Sequence, residues 1–180
     1  DRHLLTIRDV VGTAPGVRDF SAMSLLLNSK GAYFIADTFV SPDPSAEELA
    51  EMTQLCACQV RRFGIEPKIA LLSHSNFGSS NTASARKMRD ALTILRQEAP
   101  DLEVEGEMHG DTALSEALRM RIFPHSRLKG SANLLVMPTL DAANIAYELI
   151  KAMTDALPVG PILVGGAKPA HILTPSVTAR

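Results

Sequence analysis

The chain has 180 residues, 46% hydrophobic and 21% charged, enough for one domain or two small lobes with a real core and unlike a disordered composition. A formal net charge of −2, an aromatic content of 4% and no tryptophan argue against a basic or base-stacking surface, so nucleic acid is not an expected partner. No apolar run approaches the ~20 residues needed to cross a bilayer and no signal peptide opens the chain, so a cytoplasmic protein without membrane contact is expected.

Leu4 to Val11 has apolar residues three and four apart and predicts a helix tail; a chain that opens in mid-pattern without methionine is expected to be a piece of a longer protein. Gly12 to Arg18 is a loop. Met23–Leu27 and Ala32–Ala36 predict two antiparallel strands around the turn Asn28-Ser29-Lys30-Gly31, with Asp37–Val40 continuing outward. Ser45 and Glu48 form a capping-box pattern for a helix over Ala46–Phe63, which Gly64 terminates. Cys56 and Cys58, two apart on that helix, diverge around it and are expected to be free thiols, as in a reducing cytoplasm.

Ile69–Leu72 is an apolar run suited to a strand buried on both faces. It leads into the loop Ser73–Ser80 and a helix over Thr82–Glu98. A strand, a small-residue loop and a helix start present unpaired N–H groups that can hold an anion, and Ser73, Ser75, Ser79 and Ser80 add hydroxyls. An ordinary turn between strand and helix explains the same residues. One face of this helix carries Arg86, Lys87, Arg89 and Asp90, and two of the cations lie near the helix start, the unfavourable end for the dipole, which suits either a nearby anion or a solvated polar face.

Val104–Met108 predicts a short strand, with carboxylates alternating at Glu103, Glu105 and Glu107; a helix is expected over Asp111–Met120 and a loop over Ile122–Gly130. Asn133–Met137 predicts a second buried strand, followed by a helix from Ala142 to about Met153 that Asp141 caps. Gly160–Val164 is a last strand, closed by Gly165-Gly166. The order predicts an α/β sheet, mostly parallel in its second half, with helices on both faces. Ligands in such sheets sit beyond the carboxyl ends of the strands, here Ser73–Ser80, Glu107–Asp111, Pro138–Asn144 and Gly165–Lys168, so four loops are expected to converge.

The five histidines show no metal-ligand spacing; His74 and His109, at strand ends, read as general bases or as surface residues. Asp141 and Asn144 either orient a ligand or cap the helix. There is no G-x-G-x-x-G, Walker A or G-x-S-x-G motif.

The segments IADTFV–SPDPSAEELAEM, PKIALLSHSNFGSS, VEGEMHGDTAL, GSANLLVMPTLDAANIAYELI and GPILVGGAKP resemble, in order, the phosphate acetyltransferase (phosphotransacetylase) family over about Gly16–Arg180. Within it, FIADT, HSNFG, EGEM, FPHSRLKGSANLLVMP and GPILVGGAKP look most like the phosphotransacetylase-like C-terminal domain of bacterial NADP-dependent malic enzymes. The resemblance implies a two-lobed fold of the isocitrate/isopropylmalate dehydrogenase type, with lobes near 1–40 plus 160–180 and 41–159 and the first portion of the domain absent. It also implies a homodimer through this domain, linked to malic catalytic domains of the same chain, where NADP and a divalent metal would bind; no metal is expected in this stretch. Active members transfer acetyl between coenzyme A and phosphate with a serine–arginine pair and an aspartate. In this sequence Thr174 stands at the serine position and Pro175 at the arginine position, and no acid occurs between Lys168 and Arg180. Proline cannot grip a phosphate as a guanidinium does, and loss of the base removes roughly 10²–10⁴ in rate. The resemblance therefore implies a regulatory domain that senses acetyl-CoA, itself without transferase chemistry. Candidate acyl-CoA contacts are Ser73, Ser75, Asn76, Phe77, Gly78, Ser79, Asn133, Asp141, Asn144, Lys168 and Thr174. The alternatives are an active phosphate acetyl- or butyryltransferase with Thr174 replacing the serine, and a purely structural dimerisation module.

Overall fold

The structure, a computed structural model, describes residues 2–171. Helix α1 (Arg2–Val10) precedes the hairpin β1 (Ser21–Asn28) and β2 (Gly31–Ala36). Then follow α2 (Ala46–Arg62), β3 (Lys68–Leu72), α3 (Ala83–Glu98), β4 (Glu103–Met108), α4 (Gly110–Leu114), α5 (Glu116–Ile122), β5 (Leu134–Val136), α6 (Leu140–Met153) and β6 (Leu157–Val164). The strands form one six-stranded sheet in the order β4-β3-β5-β2-β1-β6. Neighbours from β4 to β2 are parallel, and β1 runs antiparallel to both β2 and β6.

Alternation along the strands divides the core. Ile69 and Leu71 of β3 face α2 and α3, joining Leu49, Cys56, Val60, Met88 and Leu95. Ala70 and Leu72 face the other way, toward Ala113, Ala143 and Tyr147 of α4 and α6. This two-sided burial is why the run Ile69–Leu72 is uniformly apolar. The expected capping box holds: Ser45 Oγ accepts from Glu48 N, and Glu48 Oε2 accepts from Ser45 N at 2.7 Å. One sheet crosses the expected lobe boundary, since β2 pairs with β5.

Several expected elements differ. The helix over Asp111–Met120 is two short helices, interrupted at Ser115, whose backbone is extended and whose side chain caps the second helix by accepting from Leu118 N. The last strand begins at Leu157 rather than Gly160, extended by its pairing with Leu27 and Leu26 of β1. Helix α1 forms but buries no residue; Arg8 ties it to Asp19 through an ion pair and lies over the Phe20 ring.

The loop over 123–130 is held by a side chain whose role the sequence did not show. Arg119 of α5 is fully buried and donates to the carbonyls of Thr112, Ala113, Leu128 and Gly130. Burial lowers its pKa, and the charges of Glu116, Glu105 and Glu103 oppose that shift. Four carbonyls would lose their donor in Arg119→Ala, so a loss of about 3 kcal/mol or more is expected in chemical denaturation, against less than about 0.5 kcal/mol for exposed Arg121→Ala. Both cysteines are free: Cys56 is buried, its thiol pKa pushed far up by burial and by the charge of Asp37, while Cys58 is exposed. Mass spectrometry after brief alkylation of the native protein is expected to find Cys58 modified and Cys56 untouched; labelling of Cys56 at the same rate would contradict this packing.

Candidate functional site

All parallel strands, and β6 with them, end on one edge of the sheet. The loop after β3 is built there around a carboxylate. In β4, Gly106 lies opposite Leu71 and Met108 opposite Leu72, so Glu107 is an extra residue, a β-bulge. A Cβ at Gly106 would meet the Leu71 carbonyl oxygen and Cβ at 2.8 Å, which requires glycine where the strands approach. The bulged Glu107 is fully buried, and its Oε1 accepts from Ser75 Oγ (2.6 Å), Gly78 N (2.9 Å) and Arg89 Nη1 (2.9 Å). Its carbonyl accepts from Phe77 N (2.8 Å), and Phe77 takes a positive φ of 47° to make the turn while its ring stacks on Phe123 at 4.5 Å. Glu107 Oε2 makes no hydrogen bond to the described residues.

Donors of this strand–loop–helix junction are thus taken up by a carboxylate of the protein itself. Ser75 Oγ also accepts from Ser80 N, Ser79 Oγ accepts from Asn76 N, and Asn76 Oδ1 accepts from His109 N. The basic start of α3 has the same explanation. Arg89 pairs with Glu107, Lys87 with Asp43 and the Pro138 carbonyl, and Arg86 donates to the Asn81 carbonyl. Two turns further along α3, Arg96 pairs with the buried Glu105, whose other oxygen accepts from Arg127 N. The sequence signal was present in two parts: arginines seven apart on a helix and glutamates either side of a glycine on a strand.

The other candidate residues are distributed as follows. Ser73 is half-buried, and its Oγ accepts from Ser75 N. Asn144 donates to the Thr38 carbonyl, tying α6 to the end of β2, and Asp141 is exposed on the first turn of α6. Asn133 lies at the opposite edge of the sheet, before β5, where it accepts from Lys68 N and donates to the Glu66 carbonyl; it stitches strand beginnings together and is not brought to the loop. Lys168 is exposed beyond β6, four strand spacings or roughly 19 Å from β3. Three of the four expected loops are thus neighbours and the fourth stands at the far side of the sheet. Thr174 and Pro175 lie outside the described residues. His74 Nε2 is within 3.3 Å of Ser80 Oγ, and His109 Nε2 is 2.9 Å from the His74 carbonyl.

Two further features complete this edge. Asp37, which sequence reading placed on a strand extension, is buried and accepts five hydrogen bonds, from Phe39 N, Val40 N, Ser41 N, Ser41 Oγ and Ser21 Oγ. Beside the Ser73 loop, between α4, α6 and the ends of β3 and β5, is a largely apolar cavity of about 490 Å³. Ser73, His74 and Ser84 supply its polar lining. Among the described residues, no cluster of three or more His, Cys, Asp or Glu is arranged to hold a metal, and no helix is long and apolar enough to cross a membrane.

The family described as phosphate acetyl/butaryl transferase matches residues 1–180. An NAD-dependent malic enzyme of Rhizobium meliloti is 60% identical over 99% of this chain and 23% of its own length. An NADP-dependent malic enzyme of Escherichia coli is 53% identical over 99% of the chain and 24% of its own. A phosphate acetyltransferase of Paracoccus denitrificans is 38% identical over 95% of the chain and 56% of its own. Among solved structures, the EutD phosphotransacetylase of Staphylococcus aureus superposes with a TM-score of 0.90 at 29% identity, covering 95% of this chain and 53% of that one. The chain thus spans about a quarter of the malic enzymes it matches.

The Glu107 cluster makes an asymmetric expectation. The Arg89 side chain is 30% exposed and can turn to water, whereas Glu107 is fully buried. Arg89→Met is expected to cost about 3 kcal/mol or more and Glu107→Gln less, with the double variant recovering part of the Arg89→Met loss. Urea denaturation of the three variants measures this; equal losses would mean the carboxylate is not held as a buried charge.

Proposed function

The chain belongs to the phosphate acetyl/butaryl transferase family, and from that premise we propose that it is an acyl-CoA-sensing, oligomerising regulatory domain of a larger malic-enzyme-like protein, without transferase activity of its own. It resembles the phosphotransacetylase-like region of malic enzymes, relatives whose names carry both NAD and NADP dependence. The observation that carries the loss of transfer chemistry is Pro175 at the family's arginine position. A proline offers neither the bidentate grip nor the charge that holds the phosphate accepting the acetyl group. The loop after β3 supports the same reading, since Ser75, Gly78 and Arg89 are spent on Glu107 rather than facing a ligand.

Sensing in this reading uses the edge left open: Ser73 and His74, the neighbouring start of α6, and the apolar cavity beside them. Acetyl-CoA acts as an effector by binding one arrangement of a homodimer more tightly than another, which shifts malate decarboxylation in catalytic domains of the same chain. Those domains would hold the nicotinamide coenzyme and the divalent metal.

A thermal melt with and without acetyl-CoA, beside an assay from acetyl phosphate and coenzyme A, tests the proposal. Acetyl-CoA at a hundredfold excess over its Kd is expected to add about 2.7 kcal/mol of stability, with no transfer product. Product formation would make the chain a transacetylase with Thr174 in the serine's role. Neither stabilisation nor product would leave a structural dimerisation module.

A further inference from the structure

The cavity beside the Ser73 loop has a chemical character of its own. Leu135 and Met137 of the sheet and its β5 exit form a buried floor, Leu114 lines one side, and Ala142, Ala146 and Ile150 of α6 line the other. Small residues create the space: Gly110 at the start of α4, and alanines at 142 and 146, one helical turn apart on the inward side of α6. None of the lining residues is a lysine, arginine, aspartate or glutamate. Burying a phosphate or an ammonium here would leave its charge without a partner, so the interior suits hydrocarbon. The polar lining is confined to Ser73, His74 and Ser84, with the backbone of Gly110. Ser73 Oγ accepts from Ser75 N, which leaves its own proton for an acceptor in the cavity.

Size narrows the class. An apolar cavity of about 150 Å³ is known to hold a benzene ring, and this one is about 490 Å³. It lies within the range of small-molecule sites, which are mostly apolar with a few placed polar groups. A two-carbon acetyl group would leave it almost empty.

We propose that this cavity binds the hydrocarbon chain of a medium-length acyl group, about four to eight carbons, with the carbonyl or carboxyl end at Ser73, His74 and Ser84. Two sources share that chemistry, an acyl-CoA thioester and a free carboxylic acid. The thioester source rests on the acyl-CoA reading above; the free-acid source does not. Binding here makes the domain respond to acyl chain length and not to acetyl-CoA alone.

Calorimetric titration of the intact protein with acetyl-, butanoyl-, hexanoyl- and octanoyl-CoA, and separately with hexanoate and octanoate, tests this. Affinity is expected to rise about fourfold per added methylene until the cavity is full. Ala146→Phe, which fills the space, is expected to cancel the gain, so that the six-carbon ligand binds no tighter than the two-carbon one. Ile150→Ala enlarges the space and is expected to move the end of the gain to a longer chain, which keeps the test open if the phenylalanine variant does not fold. A flat thioester series in which acetyl-CoA still binds overturns the cavity assignment and leaves the regulatory reading intact. A gradient with free acids but no binding of any thioester supports the cavity and overturns the acyl-CoA reading. Absence of binding by both series overturns both. A gradient unchanged in both variants puts the chain elsewhere and overturns the assignment.

Discussion

One buried carboxylate organises the edge of the sheet where the parallel strands end. Glu107 is withdrawn from water, and an unpaired charge in that position would cost several kcal/mol. Its oxygen therefore collects a hydroxyl, a backbone N–H and a guanidinium from Ser75, Gly78 and Arg89. Each of those donors fixes a different element: the exit of β3, the turn at Phe77 and Gly78, and the first half of α3. The bulge at Glu107 and the close approach of Gly106 to Leu71 are what make the carboxylate reachable.

That arrangement has a consequence for recognition. A junction of strand, serine-rich loop and helix start has the composition of an anion site, and in this chain it holds an anion supplied by β4. Groups already satisfied inside the protein contribute little to holding a ligand, because binding would have to break what they already make. Ser73 and His74 of the same loop border an uncharged cavity. The edge is thus divided into a polar interior that sets shape and an apolar recess beside it.

Topology decides which loops can act together. The order β4-β3-β5-β2-β1-β6 sets the loops after β4, β3 and β5 side by side and leaves the β6 exit across two intervening strands. Asn133 is excluded more simply, since it precedes its strand and so belongs to the other edge, where its amide joins the beginnings of β3 and β5. A second buried acid, Asp37, does for the exit of β2 what Glu107 does for β3, using four donors from the next few residues, Ser21 Oγ of β1 and no cation.

Local chemistry determined a good deal on its own. The capping box at Ser45 and Glu48, the glycine stop at Gly64, the hairpin turn at Asn28–Gly31 and the apolar run Ile69–Leu72 all act within a few residues, so the sequence alone carries them. The resemblance to the transferase family was likewise legible as ordered blocks. Tertiary structure decided what long-range pairing controls. Glu105 and Glu107 read as alternating carboxylates because nothing nearby in sequence reveals that Arg96 and Arg89 wait for them. Nothing local in the sequence marks Arg119 as buried, because the carbonyls it binds come from α4 and from the separate loop over 123–130. Burial of a charge depends on partners remote in the chain, and only the folded sheet brings those partners within hydrogen-bonding reach.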